Sequence, residues 1–167
     1  MKLLRKAKGN FRFLFEIPEK LLFCRLLQLY PLVASTHQQI SRTGESAANE
    51  VTQRLLNEAL AEHHAESQTR IKNFLADPLR FQSLPHGIRL NVSVSDLEWL
   101  LQILNDLRVG SWVRLGTPSR LDDFIPEDQN AVHYWTIELA GHFQNFFLAA
   151  VEGRLKSVPE KPNNELP

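Results

Sequence analysis

The chain has 167 residues, enough for one ordinary domain with a core of its own. Hydrophobic residues make up 43% and charged residues 23%, which fits neither a disordered polyelectrolyte nor a membrane bundle. Lys plus Arg and Asp plus Glu stand at 19 each, so no whole-chain field attracts nucleic acid or an acidic membrane, and the single cysteine excludes an internal disulfide.

The first twelve residues carry Lys2, Arg5, Lys6, Lys8 and Arg12 without an acid. The apolar stretch beyond is broken by Glu16, Glu19, Lys20 and Arg25, so no secretory core follows. No run approaches the ~18 apolar residues of a membrane span. A cytoplasmic protein is the expectation. In residues 11–17, Phe11, Phe13, Phe15 and Ile17 alternate, which predicts a strand with one buried face. Pro18 then opens a helix whose apolar residues include Leu21, Leu22, Cys24, Leu26, Leu27, Leu29 and Tyr30, ending near Pro31. On that face Cys24 reads as a small core residue rather than a reactive thiol.

Residues 35–46 are polar with a glycine and read as a loop. A long helix is predicted from Ala47 to about Ala76, starting near Glu45 or Ser46. Val51, Leu55 and Leu56 are apolar at its front, and Ile71, Phe74 and Leu75 at its back. Its middle is polar, and Asp77-Pro78 ends it.

Residues 88–94 alternate Ile88, Leu90, Val92 and Val94, a second strand. Ser95 and Glu98 have the spacing of a capping box, with Val94 and Trp99 as a hydrophobic staple, for a helix running towards Gly110. The shift that carries Ile17 onto Val94 also carries Phe11, Arg12, Phe13 and Phe15 onto Ile88, Arg89, Leu90 and Val92. It carries Leu22, Phe23, Leu26 and Leu27 onto Trp99, Leu100, Ile103 and Leu104 as well. This predicts a duplicated strand–helix unit whose two strands pair.

Residues 117–127 form a connection, and a last helix over about 126–152 repeats Val132, Trp135, Leu139, Phe143, Phe146 and Ala150 every three or four residues. The expected fold is mainly α: a helical bundle with a small two-stranded β-ribbon from two related strand–helix units. Residues 1–153 form its single domain, and 154–167 a disordered, proline-rich tail.

The segment WLLQILNDLRVGSWVRLG, residues 99–116, followed by the helix bearing His133-Tyr134-Trp135, resembles the bacterial domain-of-unknown-function family two thousand and seventeen. Members of that family show a similar Trp-Leu…Asn-Asp-Leu-Arg…Arg-Leu-Gly run and open with a strand and helix. The likeness covers roughly half the chain and leaves residues 35–87 unmatched. The family tends to have Leu-Gly-Thr-Arg-Leu-Gly where this chain has Gly110-Ser111-Trp112-Val113-Arg114-Leu115-Gly116, so the turn there departs from its pattern. The resemblance implies no activity. It implies a genomic neighbourhood with the adaptor of the Clp protease, and some members are described as transcriptional regulators.

For chemistry, Asn105, Asp106, Arg108 and Arg114 form the candidate polar cluster. Arg108 and Asp106 border the apolar arc of their helix, so the arginine must pair with Asp106 or an acid such as Glu138, or must grip an anion or a peptide terminus. Metal-ligand residue types occur as Glu62, His63 and Glu66, and as Glu138 and His142. They lack a Glu-x-x-His or His-Glu-x-x-His pattern, so they read as solvated faces, and neither metal nor cofactor is expected. No nucleophile elbow or phosphate-binding glycine loop is present, and no catalytic residue is assigned. The basic N-terminus interleaved with phenylalanines would suit a nucleic-acid surface, but the alternation buries those rings, which with the neutral balance argues against one. Trp112, Tyr134, Trp135, Phe143, Phe146 and Phe147 exceed what one helix face needs, and the surplus predicts a protein partner or a homo-oligomer. The functional expectation is therefore a non-catalytic interaction protein, an accessory or regulatory factor of the Clp system. The alternatives are a nucleic-acid-binding regulator and a metal-dependent enzyme.

Overall fold

The computed structural model describes residues 1–7, 9–32, 47–121 and 124–159, the side chains of 47–50 excepted. Among them, four strands and four helices follow in the order β1 (Lys2–Ala7), β2 (Asn10–Phe15), α1 (Ile17–Gln28), α2 (Ala47–Ala76), β3 (Phe81–Leu84), β4 (Gly87–Ser93), α3 (Val94–Arg114) and α4 (Ala131–Val151). The strands form one antiparallel sheet in the order β1-β2-β4-β3. The expected helical bundle with a two-stranded ribbon is therefore wrong. The alternating segments do pair, Phe11 with Val92 and Phe13 with Leu90, but each is the inner strand of a hairpin. The outer strands escape the alternation rule for separate reasons. In β1 the register shifts between Leu3 and Arg5, so its Lys-Leu-Leu-Arg-Lys-Ala pattern does not alternate. β3 is only four residues long.

Each half is thus a hairpin followed by a helix, and the same sequence shift relates their helix starts. Glu16 is the N-cap of α1 and Ser93 that of α3; Glu19 and Asp96 are the matching acids one turn in. The cap of α3 is Ser93 rather than Ser95, because β4 pairing ends where Ser93 faces Asn10 and Val94 N–H donates to Gly9. Ser93 Oγ accepts from the Asp96 amide at 3.0 Å, and the Asp96 carboxylate accepts from the Ser93 amide at 3.2 Å. Val94 is consequently exposed, as is Ile17, and the expected staple does not form. α3 also continues past Gly110, which is buried within it, and exits through Gly116 and Thr117 at positive φ. The expected start of α2 at Glu45 or Ser46, and the loop 35–46, lie outside the described residues.

One face of the sheet makes the core. Phe13 is fully buried, with Phe146 and Phe147 of α4 at 5.5 and 5.3 Å; Phe15 meets Phe23 of α1 at 5.6 Å. α3 adds Leu97, Leu100, Ile103, Leu104 and Leu107, and α2 contributes Ile71 and Phe74. Removing this much apolar and aromatic surface from water is the main force assembling the layers. Cys24 is half-buried, and burial raises its thiol pKa. After α4, Leu155 packs against the core and Val158 N–H donates to Leu3 C=O at 2.8 Å. Residues 160–167 lie outside the described residues.

Candidate functional site

The four polar residues singled out on α3 point to three different places. Arg108 lies over Gly141 of α4, where an added Cβ would stand 3.6 Å from its Nε, and its Nη1 donates to Gln144 Oε1 at 2.7 Å. The partner is thus a neutral amide of α4, while Glu138 is exposed. Arg114, at the end of the same helix, donates through Nη2 to Leu32 C=O at 3.1 Å and ties the segment after α1 to α3. Asp106 faces α2. Asp106 is exposed, yet partial desolvation beside α2 raises its carboxyl pKa, and the charges of His63 and His64 oppose that rise. Asn105 is exposed. Arg108, Arg114 and Asp106 thus face three different neighbours of α3.

His64 packs edge-on to Tyr30 with ring centroids 5.7 Å apart, while Glu62, His63 and Glu66 are exposed on α2 and Glu138 and His142 on α4. Among the described residues, no three His, Cys, Asp or Glu side chains come together in a way that could hold a metal ion. Among the same residues, no helix is long and apolar enough to cross a membrane.

The end of the α3–α4 pair near Arg114 is different in character. His133 of α4 lies there, its pKa lowered first by burial and then by the Arg114 charge. Two buried polar atoms at this end, His133 Nδ1 and Ser111 Oγ, have no hydrogen-bond partner among the described residues. Around them large apolar side chains stay in water. Trp112 is 43% and Trp135 56% exposed, with Val109 and Val113 of α3 and Val132 of α4 also exposed. Trp112 is held in place by a hydrogen bond from its Nε1 to Pro118 C=O at 3.1 Å, and Trp135 stands edge-on to Tyr134 at 5.3 Å. Trp112 near the end of α3 and Trp135 near the start of α4 are each oriented and half-exposed, and tryptophan is the residue type enriched at interface hot spots. The chain matches no known family model, no curated protein and no solved structure. The aromatic surplus was legible in the sequence, but its location was not, because the helical period of α4 does not say which of its rings the sheet covers.

A second polar assembly escaped the sequence reading. The Asp96 carboxylate accepts from Ser93 Oγ at 2.8 Å and from Arg80, and also lies 3.4 Å from Arg70. Arg80 reaches Asp77 at 3.3 Å, and Arg70 lies over the Trp99 ring at 4.3 Å. Burial pushes the Asp96 pKa up, and the hydrogen bonds from Ser93 and Arg80 outweigh it, so the group stays below the ordinary aspartate value. This network clamps the end of α2 to the start of α3. The capping-box motif Ser93-x-x-Asp96 was its only sequence signal.

Proposed function

We propose that this chain is a cytoplasmic, non-catalytic interaction module that docks a protein partner on the Arg114 end of the α3–α4 pair. The single observation that supports this reading is the pair of half-exposed, oriented tryptophans, Trp112 and Trp135, where a lone soluble domain would bury or dispense with them. Membership of the domain-of-unknown-function family two thousand and seventeen is part of the proposal. It rests on residues 99–116, which form most of α3 and the turn that follows. On that basis the partner proposed is a component of the Clp proteolytic system.

The test is direct binding of the purified chain to the purified Clp adaptor, unfoldase and protease, read by calorimetry. The proposal expects one of them to bind, and Trp112→Ala with Trp135→Ala to weaken binding by at least about 30-fold, the size of one hot-spot loss. Failure of every component to bind removes the Clp assignment. Binding that survives the double substitution removes the surface.

A further inference from the structure

We propose that the outer face of α1 is the two-fold interface of a homodimer. The duplicated fold supplies its own comparison. The shift that carries Ile17 onto Val94 carries Leu21, Arg25 and Leu29 of α1 onto Glu98, Gln102 and Asp106 of α3, and every one of these positions is exposed. The two helices turn equivalent positions to the outside, where α3 is polar and α1 largely apolar. Leu22 extends the contrast. Its counterpart Trp99 is covered by Phe74 of α2 at 5.8 Å, with Arg70 over the ring, whereas Leu22 is 43% exposed. Ile17, where the face begins, is 62% exposed. A ridge of large aliphatic side chains left in water along a 12-residue helix is a surface that association removes from solvent.

Charge complementarity points to a second copy as the occupant. α1 carries Glu16 at its N-cap and Arg25 in its last turn, both exposed. Among the described residues Arg25 makes no hydrogen bond or ion pair, and Glu16 makes no ion pair. The other charges of α1 are engaged within the chain, Glu19 by the Met1 amine and Lys20 over the Phe81 ring at 5.5 Å. A helix polarised in this way complements itself when two copies lie antiparallel, since the basic end of each then meets the acidic end of the other. With the crossing at Leu21 and Leu22, Arg25 and the Glu16 of the second copy differ in level by about two residues, or about 3 Å, along the helix axis. An arginine side chain spans that offset and can hold a carboxylate bidentately.

A two-fold axis repeats the arginine–glutamate pair at both ends of the seam and leaves the leucines between them, an apolar centre with a polar rim. Other occupants fit less well. An anionic lipid surface would attract Arg25 but repel Glu16. A foreign protein would have to present an acid and an apolar ridge at the spacing that α1 already has. Trp112, near the end of α3, takes no part in this seam, so self-association and docking at that end are separable.

Sedimentation equilibrium of the full chain across micromolar concentrations tests this, and a monomer–dimer equilibrium is expected. Arg25→Glu and Glu16→Arg each oppose like charges at both ends of the seam and weaken self-association at least about tenfold. Mixed in equal amounts, the two variants recover the dimer, because the heterodimer regains both pairs. Leu21→Glu, at an exposed position away from the cap, abolishes the dimer with the circular dichroism unchanged, and Trp112→Ala leaves it intact. A chain that stays monomeric overturns the proposal, as does one that instead binds phospholipid vesicles through Leu21. So do charge variants that associate as tightly as the parent, a mixture that fails to recover the dimer, or a dimer that survives Leu21→Glu. Loss of the dimer in Trp112→Ala would move the interface to α3 and overturn it too.

Discussion

Replacing Gly87 by alanine tests the sheet more sharply than any core truncation, because the same substitution at Gly9 provides an internal control. Both glycines sit at hairpin positions with positive φ, +78 at Gly9 and +143 at Gly87. At Gly9 a Cβ would meet nothing within 4 Å, so the cost is only that of an L-residue in the left-handed region, about 1–2 kcal/mol. At Gly87 the Cβ would stand 2.4 Å from the carbonyl oxygen of Phe15 and 3.2 Å from Leu14 Cδ1. Backbone oxygen cannot swing aside as a side chain would, so the ladder between β2 and β4 must open where Phe15 faces Ile88. Backbone strain of about 1–3 kcal/mol adds to the loss of a ladder hydrogen bond worth about 1 kcal/mol. The sum is about 3 kcal/mol, a large part of a domain's stability. With a urea m-value of about 2 kcal/mol/M, Gly87→Ala lowers the unfolding midpoint by about 1.5 M and Gly9→Ala by about 0.5–1 M. Equal shifts for the two variants would refute the close approach of Gly87 to β2, and with it the central pairing of the sheet.

Phe13→Ala, removing a fully buried ring that meets two phenylalanines of α4, costs about 3–5 kcal/mol in the same titration; a loss below 1 kcal/mol would mean α4 does not cover the sheet. Asp96→Asn weakens the charged hydrogen bonds to Arg80 and Ser93 and costs about 1.5–3 kcal/mol at pH 7. Because the folded-state pKa of Asp96 lies below its unfolded value, this difference is fully present above about pH 4 and disappears as pH falls through the folded value. A gap between variant and parent that does not narrow as pH falls below about 4 would contradict it. His133 behaves differently: its pKa is lowered on folding, so below about pH 6.5 the unfolded chain takes up a proton that the folded chain resists. Stability then declines from pH 7 to 5, and His133→Gln flattens that decline relative to the parent in thermal melts. An unchanged profile would place His133 in water.

The sequence by itself determined the elements whose patterns are local. Alternation marked β2 and β4, a run of apolar residues at helical spacing marked α1, α3 and α4, and the matching starts at Ile17 and Val94 marked a repeated unit. Side chains of period two or 3.6 must bury one face wherever they fold, so these signals survive without knowledge of the partner. Tertiary structure alone decided the rest. A short β3 and an irregular β1 become strands only because β4 and β2 offer them open edges, which turned an expected ribbon into a four-stranded sheet. Of two equally spaced serine–acid pairs, Ser93-Asp96 won over Ser95-Glu98 because β4 ends at Ser93 and Arg80, sixteen residues upstream, arrives at the carboxylate. Asn105, Asp106, Arg108 and Arg114 share one helix but serve different neighbours, since a helix presents successive residues around its whole circumference. Net charge is a sum over the chain, and only the strand register reveals that Lys2, Arg5, Arg12 and Arg89 share one face of the sheet.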